Sequence, residues 1–403
     1  MKNDILFDFL SMEQRRQATG INLIASENYV SDDVQKMVGS VLMNKYIEGN
    51  VGARYYSGCE FIDKIEAETI ERFKKLFGAQ HVNVQPHSGS SANFAVYFAL
   101  LQPGDTILSM KLSDGGHLTH GHRVNMSGSL YNIVFYGVDP VLELIDFEQV
   151  RQLARQHRPK LIIAGTSSYS RAIDFKKFAE IAREVGAYFL ADIAHIAGLV
   201  AAGLHESPVG VADVVTMTTH KTFRGPRGGV ILCQSELATK IDRAVMPGTQ
   251  GGAFAHEIAA KGLACADGLQ PEFKSYQQQV LAAAGCMAQA FIKLGYKVIS
   301  GGTDTHLFLI DVRPLGLTGK DAEKILEIVG IFVNRNAIPF DTLSPLQAGG
   351  IRIGTAAIVT RGATLQDCDE IVQIIDQVLS DHAAGKNVGA HGARVVQLTS
   401  RWN

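Results

Sequence analysis

Residues 218–229 read Thr-Thr-His-Lys-Thr-Phe-Arg-Gly-Pro-Arg-Gly-Gly and separate two short apolar runs, 212–217 and 230–233. Both runs contain β-branched residues, which predicts two strands joined by a tight turn. Lys221 is therefore predicted to lie in a loop that a rigid scaffold holds in place. Hydroxyls, His220 and two arginines flank it, and a cationic, partly buried setting suits an amine that must form a Schiff base. A solvated basic turn is the alternative.

The chain before this turn alternates short apolar runs with longer amphipathic ones. Residues 161–165 and 187–192 are predicted to be buried strands, and apolar residues at helical spacing within 175–185 predict a helix between them. Such a crossover places Asp192 at the carboxyl end of its strand, the edge where ligands bind in open α/β sheets. From about residue 82 to residue 242 the pattern predicts an α/β fold, a mainly parallel sheet flanked by helices.

Local signals outside this region predict further elements. Residues 66–77 have a helical pattern that Gly78 ends. Thr318 and Thr364 are each followed, three residues later, by an aspartate, the arrangement of a capping box at the start of a helix. Residues 306–312 predict a strand. The polar, glycine-rich tail after residue 379 gives no prediction.

The predicted domain organisation has three parts. Residues 1–30 form an N-terminal arm and 31–245 a large domain. A break at residues 247–252 precedes a long helical stretch, so 246–403 are predicted to form a connecting helix and a small C-terminal α/β domain.

Composition limits the classes of protein. The 403 residues include 38 basic and 40 acidic side chains, and this balance argues against a nucleic-acid partner. No 18-residue apolar run and no charged-then-apolar leader occur, which predicts neither a membrane-spanning nor a secreted protein. The five cysteines are odd in number and form no CxxC pair, which favours reduced thiols in a cytoplasmic protein.

The stretch Ser88-Gly89-Ser90 precedes an alanine-rich helical segment. Small residues let a backbone approach an anion, and the free N–H groups of a helix start bind phosphate. An ordinary N-cap is the alternative. No Gly-Lys-Ser/Thr follows, so the stretch is not a P-loop.

Residues 114–122 contain one aspartate and three histidines, which permits a metal site as one interpretation. Gly115 and Gly116 indicate instead that the backbone brings His117 close against a flat ligand. The other histidines are then hydrogen-bonded structural groups, and no metal is predicted.

Two further charged side chains are predicted to bind ligand. A buried Asp192 needs a cationic partner, and a protonated pyridine nitrogen is one; capping of the next helix is the alternative. Arg352 lies in a predicted strand and has the fork geometry that binds a carboxylate through two hydrogen bonds. A structural salt bridge is the alternative there.

A Schiff-base lysine, a phosphate cradle, a stacking imidazole and two charged groups of this kind are what a pyridoxal-phosphate enzyme acting on an amino acid requires. The chain resembles the serine hydroxymethyltransferase family, of the aspartate-aminotransferase-like fold (pyridoxal-phosphate fold type I), from about residue 23 to residue 383. The segments that carry the resemblance are LIASENY (23–29), RYYSGCE (54–60), NVQPHSGSSAN (83–93), GGHLTHG (115–121), DIAHIAGLVAAG (192–203), THKTFRGPRGG (219–229), PGTQGG (247–252), SGGTDTHL (300–307), LTGKDAE (317–323) and GIRIGT (350–355).

The resemblance implies the role of each site residue. Lys221 binds pyridoxal 5′-phosphate covalently, with Asp192 at the pyridine nitrogen and His117 stacked on the ring. The other implied cofactor contacts are Gly89, Ser90, Ser167, His195, His220 and Tyr46, with Gly251 and Gly252 from a neighbouring subunit. The residues implied in catalysis are Lys221, Glu48, His117, Asp192, Tyr56 and His220, with Glu48 the acid/base candidate. The implied substrate contacts are Ser26, Tyr56 and Arg352 for the amino acid and Leu112, Gly116 and Asn336 for tetrahydrofolate.

The implied activity is the interconversion of serine and glycine, with transfer of the hydroxymethyl group to tetrahydrofolate as co-substrate. The implied assembly is a homodimer, or a dimer of dimers, in which Tyr46, Glu48 and Tyr56 act across the interface. Residues 344–349 depart most from the family pattern. Two alternatives therefore stay open: a paralogous enzyme for another amino acid, such as α-methylserine, and a folate-independent β-hydroxy-amino-acid aldolase.

Overall fold

The computed structural model describes residues 4–402. Its α-helices are α1 (Ile5–Thr19), α2 (Asp32–Val38), α3 (Glu60–Phe77), α4 (Gly89–Leu100), α5 (Met126–Leu130), α6 (Phe147–His157), α7 (Phe175–Val185), α8 (Ala197–Ala201), α9 (Ala238–Arg243), α10 (Ala255–Gly268), α11 (Pro271–Lys293), α12 (Gly319–Ile328), α13 (Ala356–Thr360), α14 (Leu365–Ala383) and α15 (Gly392–Thr399). Its strands are β1 (Ile21–Asn22), β2 (Gly49–Asn50), β3 (Ala53–Arg54), β4 (His81–Asn83), β5 (Thr106–Met110), β6 (Asn132–Tyr136), β7 (Leu161–Gly165), β8 (Tyr188–Asp192), β9 (Val214–Thr218), β10 (Gly229–Cys233), β11 (Leu307–Asp311), β12 (Ile331–Phe332), β13 (Asn334–Asn336) and β14 (Gly350–Gly354).

Contacts along the chain divide it into two compact units. Val30–Gln278 form one unit, and the segments up to Tyr29 and from Gln279 onward form the other. The three-part division at residues 30 and 245 stays a prediction. No helix among residues 4–402 is long and apolar enough to cross a membrane.

A seven-stranded sheet is the centre of the Val30–Gln278 unit. Its strand order is β4-β10-β9-β8-β7-β5-β6. β10 runs antiparallel to both of its neighbours, and the remaining pairs are parallel. The predicted mainly parallel α/β sheet is confirmed, and with it the crossover from β7 through α7 to β8.

The apolar residues of these strands explain why the sheet is buried. β7, β9 and β10 are buried at every position, as expected for strands with helices on both faces. Helix α4 packs on one face, where its alanines and Val96 join the core formed by Leu161, Leu190 and Ile231. This packing fixes the start of α4 relative to the strand ends.

Helix ends follow the signals in the sequence. Gly78 and Gly186 end α3 and α7 in the left-handed conformation, at φ 69° and 70°. Thr318 and Thr364 form complete capping boxes at the starts of α12 and α14, as predicted.

Two local expectations need correction, and one segment without a prediction contains a helix. Helix α3 begins at Glu60, six residues before the predicted start, because Glu60 and Asp63 favour the first turn of a helix. The long helical stretch after residue 252 is two helices, α10 and α11, with Pro271 at the start of the second. The glycine-rich tail, which had no predicted element, contains α15, whose Val395 and Leu398 are buried.

The second unit joins both ends of the chain. Its three-stranded antiparallel sheet has the order β11-β14-β13, and the separate parallel pair β1–β12 aligns Ile21 with Ile331. The N-terminal segment continues along β14, where the amide of Gly354 donates to the carbonyl of Leu23 (2.8 Å).

Candidate functional site

Lys221 lies in the turn between β9 and β10, whose ends pair Thr218 with Gly229. Internal hydrogen bonds fold the turn tightly: the Gly225 amide donates to the Thr219 carbonyl (2.6 Å), and the Thr219 hydroxyl donates to the Pro226 carbonyl (2.5 Å). Lys221 is 8% exposed. The predicted turn is confirmed, and the alternative of a solvated basic turn is wrong.

His220 contributes a neutral ring beside the lysine. Burial, followed by the charges of Arg227 and Lys221, lowers the pKa of His220 to about 3. Its Nδ1 is buried without a hydrogen-bond partner among residues 4–402. A buried polar atom of this kind lacks the hydrogen bond that such atoms usually have in folded proteins.

Asp192 ends β8, in register with Thr216 of β9. Its Oδ2 accepts hydrogen bonds from Nδ2 of Asn93 (2.9 Å) and Nε2 of His120 (2.8 Å), and its Oδ1 accepts from the Ala194 amide (3.0 Å). Burial raises the pKa of the Asp192 carboxyl, but the bonds from His120 and Asn93 and the charge of His120 outweigh it and hold the pKa well below its usual range. Asp192 is therefore ionised and firmly oriented.

The alternative role of Asp192, capping the next helix, is wrong. The residue that precedes α8 is Ile196, and it provides no side-chain cap. His195 is buried, and its carbonyl accepts from the hydroxyl of Thr222 (2.8 Å), which connects the segment after Asp192 to the Lys221 turn.

The 112–120 segment brings His117 to the same region. The Thr119 hydroxyl connects His117 to Asn93. It accepts a hydrogen bond from Asn93 Nδ2 (3.0 Å) and lies 2.7 Å from His117 Nδ1. Leu112 begins a 3-10 turn, and Gly116 is packed so closely on the Met110 carbonyl that a Cβ would overlap it. Gly115 accepts from the Ser167 amide at 2.7 Å, which places Ser167 beside this loop.

The histidines and the carboxylate of residues 114–122 separate in the structure. Asp114 binds the Ser113 hydroxyl (2.7 Å), His120 binds Asp192, and His117 binds Thr119. Among residues 4–402, no cluster of histidine, cysteine and carboxylate side chains has the arrangement of a metal site.

Gly89 and Ser90 are the first two residues of α4. Ser88 is the N-cap and forms a capping box with Ser91. The Ser88 hydroxyl accepts a hydrogen bond from the Ser91 amide (3.1 Å). The amides of Gly89 and Ser90 precede Ser91 in the first turn, where a helix offers no acceptor. A Cβ on Gly89 would lie 2.6 Å from Thr218 Cγ2, so glycine lets the helix start approach the strand that leads to Lys221.

A second group of predicted residues lies together in the Val30–Gln278 unit. The Tyr46 hydroxyl donates to Glu48 Oε1 (3.1 Å), and the rings of Tyr46 and Tyr56 pack edge to face at 5.1 Å. A Cβ on Gly251 would lie 3.2 Å from Glu48 Oε1, and one on Gly252 would lie 3.2 Å from the Tyr46 ring. Tyr46 and Tyr56 are 56% and 46% exposed, so this group presents polar aromatic side chains at the surface.

Arg352, Ser26 and Asn336 belong to the other unit. Arg352 is buried in β14, and its Nε donates to Asn334 Oδ1 (3.1 Å). Burial lowers the pKa of Arg352 to about 10, so the guanidinium stays charged at neutral pH. Asn336 pairs with Gly350, and Gly354 packs against Ala25, the residue before Ser26.

Sequence reasoning did not identify Asn93, and it treated His120 as a hydrogen-bonded structural group without identifying Asp192 as its partner. Asn93 is buried in α4, where most neighbouring residues are apolar, and Thr216 donates to its Oδ1 (2.7 Å). A single amide among apolar residues of a buried helix was the signal available. For His120 the signal was its spacing of three residues from His117.

These groups fit pyridoxal phosphate. A buried lysine and an ionised aspartate lie at the carboxyl ends of neighbouring strands, where a pyridine nitrogen and an aldehyde carbon need them. The first-turn amides of α4 suit a phosphate.

Comparison with models of protein families supplies independent information. The family described as serine hydroxymethyltransferase matches residues 1–375 of the 403. This match confirms the resemblance drawn from the ten sequence segments and the expected pyridoxal-phosphate fold type I, to which the seven-stranded sheet conforms. The chain belongs to the serine hydroxymethyltransferase family.

Proposed function

We propose that the protein catalyses the reversible interconversion of serine and glycine, with pyridoxal 5′-phosphate as cofactor and tetrahydrofolate as acceptor of the hydroxymethyl group. Family membership supports hydroxymethyl transfer between serine and glycine in general. The observation that carries the proposal is the pair of neighbouring strand ends, β8 with an ionised Asp192 and β9 leading to a buried Lys221.

Each residue at this edge has a defined task. Bound pyridoxal phosphate supplies an electron sink for the bonds at the Cα of an amino acid. The Lys221 amine holds the cofactor until the substrate amine replaces it, and Asp192 keeps a proton on the pyridine nitrogen. His120 and Asn93 keep Asp192 charged and correctly oriented. His117 would lie against the ring of the bound cofactor, and the amides of Gly89 and Ser90 would hold its phosphate.

A further set of residues is proposed to select the substrates. Arg352 binds the amino-acid carboxylate through its fork of N–H groups, together with the Ser26 hydroxyl. Leu112, Gly116 and Asn336 contact the folate. Glu48 gives and takes the protons that the transfer of a hydroxymethyl group requires.

The surface group of Tyr46, Glu48, Tyr56, Gly251 and Gly252 supports a homodimer with shared active sites. Large, exposed rings with polar ends are typical of interface residues. In this assembly each subunit presents the group to the Lys221 site of its partner. All five cysteines are free thiols, which supports a cytoplasmic location.

The test is cleavage of serine to glycine with and without tetrahydrofolate. We expect turnover that depends on added pyridoxal phosphate and rises at least tenfold when tetrahydrofolate is present. Cleavage of β-hydroxy amino acids that tetrahydrofolate does not change would identify a folate-independent aldolase instead. Activity confined to α-methylserine would identify a paralogue.

A further inference from the structure

Lys261 is a buried lysine with no role in the proposed mechanism. It lies in α10 and is 1% exposed. Its Nζ donates to three backbone carbonyls, those of Val84 (2.7 Å), Pro86 (3.0 Å) and Gly229 (3.0 Å). An ammonium group has three N–H donors, whereas a neutral amine has two, so the three acceptors match the charged form.

The three carbonyls belong to the two segments that build the cofactor site. Val84 and Pro86 lie between β4 and the start of α4, just before Ser88. Gly229 is the first residue after the Lys221 turn, and its amide donates to the Pro86 carbonyl (3.1 Å). A Cβ on Gly229 would overlap the Ser88 carbonyl, so the two segments touch directly.

Gly228 makes room for the lysine. A Cβ at this position would overlap Lys261 Cε and lie 2.9 Å from Nζ. The two glycines that end the 218–229 stretch therefore allow different close contacts. Gly228 packs against the Lys261 side chain, and Gly229 packs against the backbone just before α4.

Three carbonyl acceptors and two nearby carboxylates favour the charged form of Lys261, whereas burial opposes it. Burial lowers its pKa to about 7, and the charges of Glu257 on the same helix and Glu66 on α3 oppose that shift. Glu66 is hydrogen-bonded to Arg54 (2.5 Å) and Gln85 (2.8 Å). Three carbonyl acceptors favour the charged form, in the same way that a ring of carbonyls holds a monovalent cation.

We propose that Lys261 is a positioning residue for the cofactor site, whose ammonium holds the start of α4 and the Lys221 turn together as a bound monovalent cation would. It acts through Gly89, Ser90 and Lys221. The inference depends on the proposed function only in requiring that pyridoxal phosphate binds at this site.

The experiment compares the parent protein with Lys261→Met and Lys261→Ala, and with Lys240→Met as the control at an exposed lysine. Titration of each apo protein with pyridoxal phosphate measures affinity, and hydrogen exchange measures protection of residues 84–92 and 219–230. We expect Lys261→Met to bind at least tenfold more weakly, with faster exchange in both segments, and Lys240→Met to match the parent. Methylammonium should restore affinity to Lys261→Ala, whereas tetramethylammonium at equal concentration should not.

Parent-like affinity and exchange in Lys261→Met would overturn the proposal, as would equal effects of the two ammonium salts. If neither Lys261 variant folds, hydrogen exchange of the parent protein alone tests the proposal. The amides of residues 84–92 and 219–230 must then exchange at similar rates and as slowly as those of β7 and β8. A rate a hundredfold faster in either segment would contradict the proposed connection. None of these measurements uses serine or folate. Loss of folate-dependent turnover alone would therefore contradict the proposed function and leave this inference intact.

Discussion

Replacement of Asp192 by asparagine tests the proposed site most directly. Three N–H donors converge on the carboxylate, from His120, Asn93 and the Ala194 backbone. An amide has one oxygen in place of two. Whichever way the asparagine is oriented, its NH₂ group faces at least one of these donors.

Two effects of this substitution can be estimated, one on the free energy of unfolding and one on turnover. A buried donor without an acceptor costs about 1–3 kcal/mol, so Asp192→Asn should lower the free energy of unfolding of the apo protein by that amount. Loss of a buried charge partner for the pyridine nitrogen costs about 3–5 kcal/mol, or roughly two to three and a half powers of ten in turnover.

The stability difference should depend on pH in a defined direction. The pKa of Asp192 is lowered in the folded protein, so its ionisation stabilises the fold above the ordinary aspartate pKa of about 3.9 and this contribution is lost as pH falls through the folded-state pKa. The difference between parent and Asp192→Asn should therefore be full at pH 7 and shrink below about pH 4.

The assays are urea unfolding of the apo proteins at several pH values, pyridoxal-phosphate titration, and serine cleavage. Asp213→Asn is the matched control, because Asp213 accepts from the Phe189 amide (2.7 Å) just before β9, at the opposite end of that strand from Lys221. Turnover of Asp192→Asn within tenfold of the parent would refute the reasoning, since it would show that the carboxylate has no charge partner in the reaction.

Three further predictions concern substrate, assembly and folate. Arg352→Lys should weaken serine binding by roughly 1.5–3 kcal/mol and spare pyridoxal-phosphate affinity, because lysine lacks the fork of N–H groups; an unchanged KM for serine would assign the arginine to a structural role. Mixed Lys221→Ala and Glu48→Gln subunits should regain serine cleavage that neither homodimer has, and failure despite demonstrated subunit exchange would count against shared sites. Leu346 lies in the segment that departs from the family pattern and is 72% exposed. A phenylalanine there would add an aromatic contact, so Leu346→Phe should tighten tetrahydrofolate binding to the glycine complex by about 0.5–1.5 kcal/mol. An unchanged folate titration would contradict that last expectation.

The sequence predicted those features that depend on neighbouring residues. The crossover from residue 161 to Asp192 follows from the periodicity of apolar side chains, and the helix starts at Thr318 and Thr364 follow from two side chains three residues apart. The Lys221 turn was predictable because its glycines and arginines interrupt two apolar runs. The family resemblance rests on short contiguous motifs, which can be identified without any knowledge of how the chain packs.

The partners of Asp192 could not be predicted in this way. Asn93 reaches the carboxylate from 99 positions away and His120 from 72, and no local pattern states that such residues meet. Lys261 shows the same limit, because nothing near it in the sequence distinguishes it from the other lysines of the chain, and only the folded structure places three carbonyls around it. Polar contacts between distant segments arise from the topology of the sheet.

The parallel pairing of Ile21 with Ile331 also sets an order of events during protein synthesis. The Val30–Gln278 unit is continuous, so the ribosome delivers all of its strands before the last third of the chain exists. The other unit is discontinuous, and its N-terminal segment has to wait for β12 and β14 to emerge. About 310 residues separate β1 from β12, so at about 5–20 residues per second this wait lasts roughly 15–60 seconds. Leu6, Phe7 and Phe9 of α1 are exposed in the folded chain as well, so the late pairing of β1 with β12 does not bury this helix.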